Sequence, residues 1–429
     1  MRRALTSFFR FALRLFFRRI EVVGVERIPI DSPVVFAANH PNGLVDPLFI
    51  VCFAPRPVSF LAKAPLFRYP LIGYFVRVFH SIPVYRKQDG ASDSNRETFG
   101  RARDVLRSGG SIAIFPEGTT HSDPRLRELK TGAARIALGA ELPSVAIVPA
   151  GIYYTAKQTF RSEALVWFGE AIDVRPVALG EDGEPPVHAA LELTSRIEQQ
   201  LASVTLQADS HAALELIGRA ERIFSAGAEQ PLAAEFELRR RFIAGYHRLR
   251  EEDPERLERL ASAIRQFESE LCGARLEAEE LSPRLDRRSV VSAVALLPVA
   301  IAGIVVHFVP YRIVDALSRG FSRDANEMTA TFKFVAALLL YPVTWIVVAL
   351  LIAKYAGAIA AVVSILILPL TGYAALRFVE ELDEITGSAR ALLHRAIARG
   401  AHARLVAHRQ LIRDEIIAVA ESIGESGTR

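Results

Sequence analysis

A His and an Asp flank a short polar turn near the start of the chain. The apolar run Val34–Ala38 leads into Asn39 and His40, and Asp46 follows across the segment Pro41–Val45. A His with a carboxylate partner is the minimal unit of general base catalysis, because the carboxylate orients the ring and stabilises the imidazolium. We therefore predict that His40 takes a proton from a hydroxyl group or a water. A helix cap or a buried structural His would produce the same pair, so the pair alone does not define a function.

Polar groups at later strand ends complement this pair. They are, in chain order, Lys63, Arg86 and Lys87, then Glu117, Gly118 and Thr119 after Ile112–Phe115, and finally Lys130 and Gly132 at the start of a helix. A dianionic phosphate is bound well by Arg, Lys and the backbone N–H groups of a helix start. The sequence thus predicts a phosphate site made by Arg86, Lys130 and the Gly132 backbone, with Lys63 as a further candidate. A solvated surface charge explains Lys63 or Lys87 equally well.

Between residue 20 and about residue 175, β-rich runs alternate with helical stretches. The predicted strands are Ile20–Val25, Val34–Ala38, Ser59–Ala62, Ile82–Tyr85, Ile112–Phe115, Val145–Val148 and Leu165–Phe168, and the predicted helices are 46–53, 65–78, 94–108 and 130–140. Such alternation indicates an α/β domain with a mostly parallel central sheet. In sheets of this kind the chemistry lies beyond the carboxyl ends of the strands, where the polar groups above are placed.

Four ordered blocks together resemble the phospholipid/glycerol acyltransferase family, also called PlsC-like. They are His40 to Asp46, the strand end at Arg86, Phe115–Gly118, and the apolar run Val145–Pro149. The resemblance implies that His40 and Asp46 are catalytic, that Arg86 binds phosphate, and that Glu117 and Gly118 help to hold a glycerol phosphate. It covers roughly residues 20–175. The sequence has no Gly-x-Ser-x-Gly motif, and neither Cys52 nor Cys272 lies in a nucleophile motif, so we expect no covalent acyl-enzyme.

Two departures from the common family pattern indicate a branch. Five residues separate His40 from Asp46 instead of four, and Thr119 is followed by Thr120 and His121 where Arg and Ser are common. Both features resemble the glycerol-3-phosphate and dihydroxyacetone-phosphate acyltransferases of fungi and some bacteria. That branch also has a C-terminal membrane portion. His121 either pairs with phosphate or caps its own turn, and we favour the cap.

Composition and patterning extend the prediction to the whole chain. The 429 residues are 51% hydrophobic and carry a net charge of +4. Residues 1–19 read as an amphipathic helix lying on an anionic membrane, with Arg3, Arg10, Arg14 and Arg18 on one face. A surface helix packed on its own domain is the alternative. The remaining predicted parts are an acyltransferase domain at 20–210, a helical hairpin at 211–285, a membrane domain at 286–377 and a helical tail at 378–429.

Three apolar segments lie in the membrane domain, at 289–309, 334–353 and 356–376. Each is close to the roughly 20 residues that span a bilayer. Basic residues in the loop before the second segment and in the tail after the third predict that both are cytoplasmic. The last two segments then form a spanning hairpin with its tip at Lys354–Ala356, and 289–309 is re-entrant or interfacial. Three full spans are the alternative topology.

The expected function is transfer of a fatty acyl group from acyl-CoA or acyl-carrier protein to glycerol-3-phosphate at a membrane. Acylation of 1-acylglycerol-3-phosphate or another lysophospholipid, and transacylation between lipids, are alternatives within the same fold. A catalytically inactive membrane scaffold is an alternative of a different class. We expect no metal, no cofactor and no nucleic-acid partner. The expected location is a bacterial inner membrane, with membrane lipid as a partner and the active site facing the cytoplasm.

Overall fold

Strand β2, Val34–Ala38, lies at the centre of the sheet. All five of its residues are buried, as expected for a Val-rich strand covered on both faces. In the computed structural model, which describes residues 1–85, 94–226, 230–281, 287–321 and 329–426, β2 pairs in parallel with β5, Ser111–Ile114, and with β6, Val145–Tyr154. The central strand therefore delivers the residues that follow it to the carboxyl edge of its neighbours.

Eight strands make up the sheet, in the order β1-β7-β6-β2-β5-β3-β4, with β8 paired to β6. The remaining strands are β1 (Arg19–Val23), β3 (Val58–Lys63), β4 (Ile82–Val84), β7 (Glu163–Phe168) and β8 (Ile172–Val174). The pairs β6–β7 and β6–β8 are antiparallel, and the other pairs are parallel. The predicted mostly parallel α/β sheet is confirmed.

Strand β6 differs from its prediction, because it continues six residues beyond Val148 to Tyr154. Pro149 and Gly151 suggested a strand end, but Pro149 pairs with Ala37 of β2 and the strand then turns to β7. A Cβ on Gly151 would lie 1.8 Å from the Val204 carbonyl oxygen, so this Gly permits close contact with the end of a helix. Strand β8 was not predicted.

Six helices belong to the same compact unit, which comprises Met1–Gln207 and Ser318–Phe334. They are α1 (Arg2–Phe16), α2 (Val45–Phe53), α3 (Pro70–Val78), α4 (Ser94–Arg107), α5 (Gly132–Leu138) and α6 (Val187–Ser203). Helices α4, α5 and α6 bury Leu106, Ile136 and Ile197 against one face of the sheet, where Val35 and Ala37 of β2 point. On the other face, Phe36 meets Phe168.

Helix α1 packs on its own unit, and its faces differ from the prediction. Phe9, Leu13 and Phe16 are buried. The Arg10 guanidinium donates to the Cys52 carbonyl at 2.9 Å, so Arg10 does not share the exposed face with the other Arg residues. Phe8 and Phe11 are instead 45% and 66% exposed. The prediction placed Arg10 with the other Arg residues on one polar face of α1. It therefore missed that Arg10 can bond the carbonyl at the end of the neighbouring helix α2.

A second unit comprises Ala208–Leu317 and Val335–Arg429. Its helices are α7 (His211–Ser225), α8 (Leu232–Glu252), α9 (Pro254–Ala274), α10 (Arg287–Phe321), α11 (Thr329–Ala356), α12 (Ala358–Ile397) and α13 (Arg399–Ser426), of which α10 and α11 extend into the first unit. Residues 211–274 thus form three helices where a two-helix hairpin was predicted. The predicted break at Asp253 is present, since its side chain accepts the Arg256 N–H at 2.9 Å and caps α9.

Helices α10, α11 and α12 are long and apolar enough to cross a membrane. Helix α10 runs without a break through Pro298 and Pro310. Helix α11 ends at Ala356 and α12 begins at Ala358, and Gly357 between them has a φ of +87°. The sharp turn therefore falls one residue beyond the predicted tip.

Helices on both sides of these apolar segments share one hydrophobic core in the second unit. Ile264 and Phe267 of α9 precede α10 in the chain, and Leu405 and Ile412 of α13 follow α12. Ion pairs reinforce the same contact, with Arg256 Nε 2.6 Å from a Glu415 oxygen and His408 Nδ1 3.0 Å from a Glu270 oxygen. We call this set of contacts the α9–α13 core.

Candidate active site

The turn after β2 brings His40 and Asp46 together. The His40 Nδ1 and Asp46 Oδ2 atoms are 2.9 Å apart. Asp46 lies in the first turn of α2, and its side chain is fully buried, whereas that of His40 is 16% exposed. The N–H groups of Val45 and Asp46 both donate to the Asn42 carbonyl at 3.2 Å, which coils the five-residue turn tightly. The extra residue relative to the common family spacing therefore does not prevent the pair from closing.

Three donors face the Asp46 carboxylate. Besides His40, the Asn42 N–H donates to Oδ2 at 2.7 Å and the Tyr154 hydroxyl donates to Oδ1 at 2.6 Å. Burial raises the pKa of the Asp46 carboxyl above its ordinary value, and the bonds from His40, Tyr154 and Asn42 oppose that rise. Burial and the adjacent Asp46 raise the pKa of Tyr154 well above its ordinary value, so this phenol remains a donor at physiological pH.

The His40 ring is held by a stacked aromatic ring on one face and by Asp46 at Nδ1. It stacks on Phe115, with ring centroids 4.1 Å apart and planes at 20°. Because the carboxylate of Asp46 can only accept, we assign the Nδ1 proton to the bond with Asp46, which leaves Nε2 with a free lone pair. The backbone is held as well, since His40 N–H donates to Glu117 Oε1 at 3.2 Å and His121 N–H donates to the His40 carbonyl at 3.2 Å.

Glu117 accepts a hydrogen bond from the His40 backbone, and its side chain is fully buried. Its Oε1 accepts from His40, and its Oε2 accepts the Arg127 N–H at 2.9 Å and contacts the His121 ring. The carboxylate is thus engaged by the protein on both oxygens. These contacts favour a role in holding His40 and the Phe115–His121 turn, in place of the predicted direct contact with glycerol phosphate. The His121 ring also accepts the Asp123 N–H at its Nδ1 atom, at 3.2 Å, within the same turn.

Gly118 and Lys130 lie next to each other after β5. Gly118 has a φ of +72°, and a Cβ there would come 2.5 Å from Lys130 Nζ. The exposed Lys130 side chain therefore crosses directly over the residue that follows Glu117. Thr119 is half-buried, and its hydroxyl makes a long 3.4 Å contact with the Thr120 carbonyl. The structure thus brings together His40, Asp46, Glu117, Gly118 and Lys130.

The remaining predicted phosphate ligands are Lys63 and Arg86. Lys63 is the exposed last residue of β3, which is separated from β2 by β5 in the sheet. It lies at the same carboxyl edge as His40 because β2, β5 and β3 run parallel. Arg86 and Lys87 come after β4 in the chain and lie outside the described residues.

Sequence reasoning missed Tyr154 and Lys157. The Lys157 ammonium donates to the Pro41 carbonyl at 3.1 Å and bonds the Ser122 hydroxyl, so it ties the His40 turn to the Glu117 turn. Both residues follow Val148, where the predicted strand ended. Continuing the β-pattern through Ile152, Tyr153 and Tyr154 would have placed a phenol at the edge beside β2.

A carboxylate-supported imidazole at the carboxyl edge of a mostly parallel sheet defines a site for general base catalysis on a hydroxyl group or a water. Among the described residues, no group of three or more His, Cys, Asp or Glu side chains is placed to hold a metal ion.

Comparison with known proteins finds a family model that matches the residues around this site. Residues 19–153 match the family model described as Acyltransferase. The chain is 29% identical over 289 residues to Glycerol-3-phosphate O-acyltransferase 2 of Saccharomyces cerevisiae, a match covering 60% of this chain and 38% of that protein. It is 30% identical over 142 residues to the chloroplastic 1-acyl-sn-glycerol-3-phosphate acyltransferase LPAT1 of Arabidopsis thaliana, covering 33% of this chain and 38% of that one. The residues matched by this family model include His40, Asp46 and Glu117.

The chain spans less than half the length of the first curated relatives it matches, 38% and 43% of two yeast glycerol-3-phosphate O-acyltransferases. Among solved structures, the 1-acyl-sn-glycerophosphate acyltransferase PlsC of Thermotoga maritima matches with a TM-score of 0.37 and 23% identity. That match covers 47% of this chain and 78% of the other.

Proposed function

We propose that this protein is a membrane-bound O-acyltransferase of phospholipid synthesis, which transfers a fatty acyl group from acyl-CoA or acyl-carrier protein to glycerol-3-phosphate. The observation that carries the proposal is the 2.9 Å bond from His40 Nδ1 to the buried Asp46, which leaves Nε2 as a base. The similarity to a yeast protein named Glycerol-3-phosphate O-acyltransferase 2 supports this acceptor. The similarity to LPAT1 supports 1-acylglycerol-3-phosphate as the second candidate.

The reaction proceeds by direct transfer. His40 Nε2 removes the proton of an acceptor hydroxyl as its oxygen attacks the thioester carbonyl. The tetrahedral intermediate then expels the thiolate, which takes the proton back from His40, so that an ester and a free thiol are formed. Asp46 stabilises the imidazolium between the two steps. The contacts of Tyr154 and of Glu117 keep the Asp46 carboxylate and the His40 ring in this geometry.

The acceptor phosphate is held by cations at the same edge of the sheet. Lys130 is the best placed, because its ammonium crosses Gly118 beside the His40 turn. Lys63 ends the parallel strand β3 at that edge, and Arg86, which comes after β4 in the sequence, completes the proposed set. Arg and Lys suit this role because charge-assisted bonds to phosphate are the stronger class of hydrogen bond. Glu117 and Gly118 act by shaping the turn under this phosphate.

The proposed membrane arrangement has α11 and α12 as a crossing hairpin and α10 embedded from one side. The α9–α13 core joins residues before α10 to residues after α12, so the chain between them crosses an even number of times. Three full crossings would separate the two halves of this core. The Ser318–Phe334 segment between α10 and α11 belongs to the acyltransferase unit, and in the described chain each candidate span begins at Arg287 or later. Helix α10 therefore begins and ends on the same side of the membrane, and as an unbroken helix it lies along the membrane interface.

The basic residues near these helices orient the arrangement. Arg312, Arg319 and Lys333 lie between α10 and α11 or at their ends, and Arg377, Arg390 and Arg395 follow the apolar part of α12. Basic segments stay in the cytoplasm. The active site of the proposed bacterial inner-membrane enzyme then faces the cytoplasm, where acyl-CoA, acyl-carrier protein and glycerol-3-phosphate are found. On the exposed face of α1, Phe8 and Phe11 are placed to enter the lipid surface.

The test is acceptor profiling of the purified full chain with labelled acyl-CoA and acyl-carrier protein. We expect transfer to glycerol-3-phosphate, and a loss of at least about 100-fold in the His40→Ala variant, because a general base contributes about 10²–10⁴ in rate. His188→Ala is the matched control, since it removes an exposed imidazole from α6. Transfer to lysophosphatidate with none to glycerol-3-phosphate would select the second candidate. An unchanged rate in His40→Ala would favour the scaffold alternative.

A further inference from the structure

The helix that carries Asp46 begins without a side-chain cap at its N-cap residue. Leu44 is the N-cap residue of α2, and it makes no side-chain cap hydrogen bond. In a capping box, a Glu or Gln at the third helical position accepts the N–H of the N-cap residue. Here that position is Pro47, whose side chain has no acceptor. The Asp46 side chain at the second position is already bonded to His40, Asn42 and Tyr154.

Thr331 supplies the missing acceptor from a distant part of the chain. Its hydroxyl Oγ1 accepts the Leu44 N–H at 3.1 Å. Thr331 is 3% exposed and lies in the first turn of α11, in the Ser318–Phe334 segment of the acyltransferase unit. An unsatisfied N–H buried at a helix start is costly, so this bond stabilises the turn that holds the catalytic pair.

Two further contacts hold the segment in place. The Lys333 ammonium donates to the Gln158 carbonyl at 2.8 Å, close in sequence to Lys157, which bonds the His40 turn. The Phe334 ring packs edge-on against Phe16 of α1 at 5.6 Å and is 5% exposed. The first turn of α11 is therefore anchored by the two residues Lys333 and Phe334 that follow Thr331 closely, and the Thr331 hydroxyl is held at a fixed position.

We infer that Thr331 is a positioning residue for the His40–Asp46 pair, acting through the Leu44 N–H and the first turn of α2. This inference rests on the proposed function for its kinetic effect. The region that matches the acyltransferase family model ends at residue 153, so the inference assigns part of the active-site framework to a helix outside it. Because α11 is also a candidate membrane span, the geometry of the catalytic turn depends on a residue at the start of that span.

The test compares three variants of the full chain in lipid nanodiscs. Thr331→Val keeps the shape and removes the acceptor, Thr331→Ser keeps the hydroxyl, and Thr344→Val is the control. The Thr344 hydroxyl bonds only the Leu340 carbonyl of α11 itself among the contacts the structure gives it. We expect Thr331→Val to lower kcat about fivefold to tenfold, the fold-change that corresponds to one net hydrogen bond, with the acceptor KM unchanged. Thr331→Ser and Thr344→Val should match the wild type.

Amide hydrogen exchange gives a readout that does not depend on activity. Thr331→Val should speed exchange in the peptide 42–49, which contains Leu44 and Asp46, and Thr344→Val should not. Unchanged exchange and kcat in Thr331→Val would overturn the inference, as would an equal loss in Thr331→Ser. A wild type that transfers to no acceptor, with faster exchange in Thr331→Val, would instead refute the proposed function and leave the structural role of Thr331 standing.

Discussion

At the scale of single residues, Asp46 is the most constrained group in the site. It is fully buried, and three donors from two parts of the chain, the turn after β2 and strand β6, converge on its two oxygens. A carboxylate isolated in this way would be neutral, because burial favours the uncharged form. The hydrogen bonds from His40, Tyr154 and Asn42 oppose this rise in the pKa of Asp46. The ionised state of the pair should therefore depend on each donor.

Tyr154→Phe should move the acid limb of the pH–rate profile to higher pH. Burial already raises the pKa of Asp46, and removing the Tyr154 hydroxyl takes away a bond that favours the carboxylate, so the pKa rises further. The His40–Asp46 pair then gains a proton at a higher pH as acidity increases, and the proton blocks the base. At the optimum we expect a loss of about threefold to tenfold, the size of one hydrogen bond. The profile of kcat/KM against pH measures both effects.

The control is Tyr153→Phe, which removes the neighbouring phenol that points to the other face of β6. It should leave the acid limb where it is. An acid limb that moves equally in both variants, or that moves to lower pH in Tyr154→Phe, would contradict the assigned role of Tyr154.

The sequence identified His40 and Asp46 correctly as neighbours, because a strand, a turn and a helix start leave little choice of geometry. It could not show that Glu117 is turned inward. That orientation depends on His121 and the Arg127 N–H, which are brought together by a loop without regular structure. It also could not find Thr331, because the bond to Leu44 joins residues that no local pattern connects.

At the scale of elements, the turn after β5 combines a constrained backbone with a proposed substrate contact. Gly118 adopts a positive φ, and Lys130 lies against its Cα. Gly132, two residues beyond Lys130, has ordinary space around it, since a Cβ there would meet Ile114 Cδ1 at 3.6 Å. The backbone conformation at Gly118 therefore requires a glycine, whereas the position of Gly132 has room for a side chain.

Gly118→Ala should lower the free energy of unfolding by about 1–2 kcal/mol, because an L-residue is strained at positive φ. It should also raise the KM for the acceptor, since the new Cβ displaces Lys130. Gly132→Ala should be neutral or stabilising by up to about 1 kcal/mol, because Ala is favoured over Gly in a helix. Denaturant unfolding in detergent and acceptor saturation curves measure these effects. An unchanged acceptor KM in Gly118→Ala would remove Lys130 from the proposed phosphate site.

The predicted elements were most accurate where apolar runs were continuous. Strand β2 was placed at its observed bounds, and α2 and α4 began or ended within one residue of theirs. Errors arose where tertiary contact overrides a local signal. Pro149 and Gly151 lie inside β6 because the strand changes partners there, and Arg10 turns inward because the Cys52 carbonyl needs a donor. The separate helix α7 was missed because the charged pattern of residues 211–280 looked continuous.

At the scale of the whole molecule, the membrane arrangement follows from which segments share a core. The α9–α13 core and the docking of Ser318–Phe334 on the acyltransferase unit leave α11 and α12 as the crossing pair in our proposal. Their connecting turn then lies on the far side of the bilayer. The sequence suggested this hairpin from basic residues alone, with three full spans as the alternative, since the choice between them depends on long-range packing.

A cysteine at Tyr355 should be labelled only from the side opposite to the active site. Tyr355 is 80% exposed at the end of α11. The native Cys272 in α9 is exposed and serves as an internal reporter for the cytoplasmic side, while Cys52 is buried. Intact and inverted vesicles treated with an impermeant maleimide should label the two positions from opposite sides. Labelling of both positions from one side would refute the hairpin.

The α9–α13 core also has a consequence for the order of synthesis. The ribosome makes α9 before the three apolar helices and α13 after them. Until α13 is released, Ile264 and Phe267 lack their final partners, and exposed apolar surface of this kind favours aggregation. The nascent chain must therefore insert its membrane helices while its earlier helices are incomplete. A premature stop before α13 would leave an inserted protein with an open apolar face, which is a target for quality-control proteases.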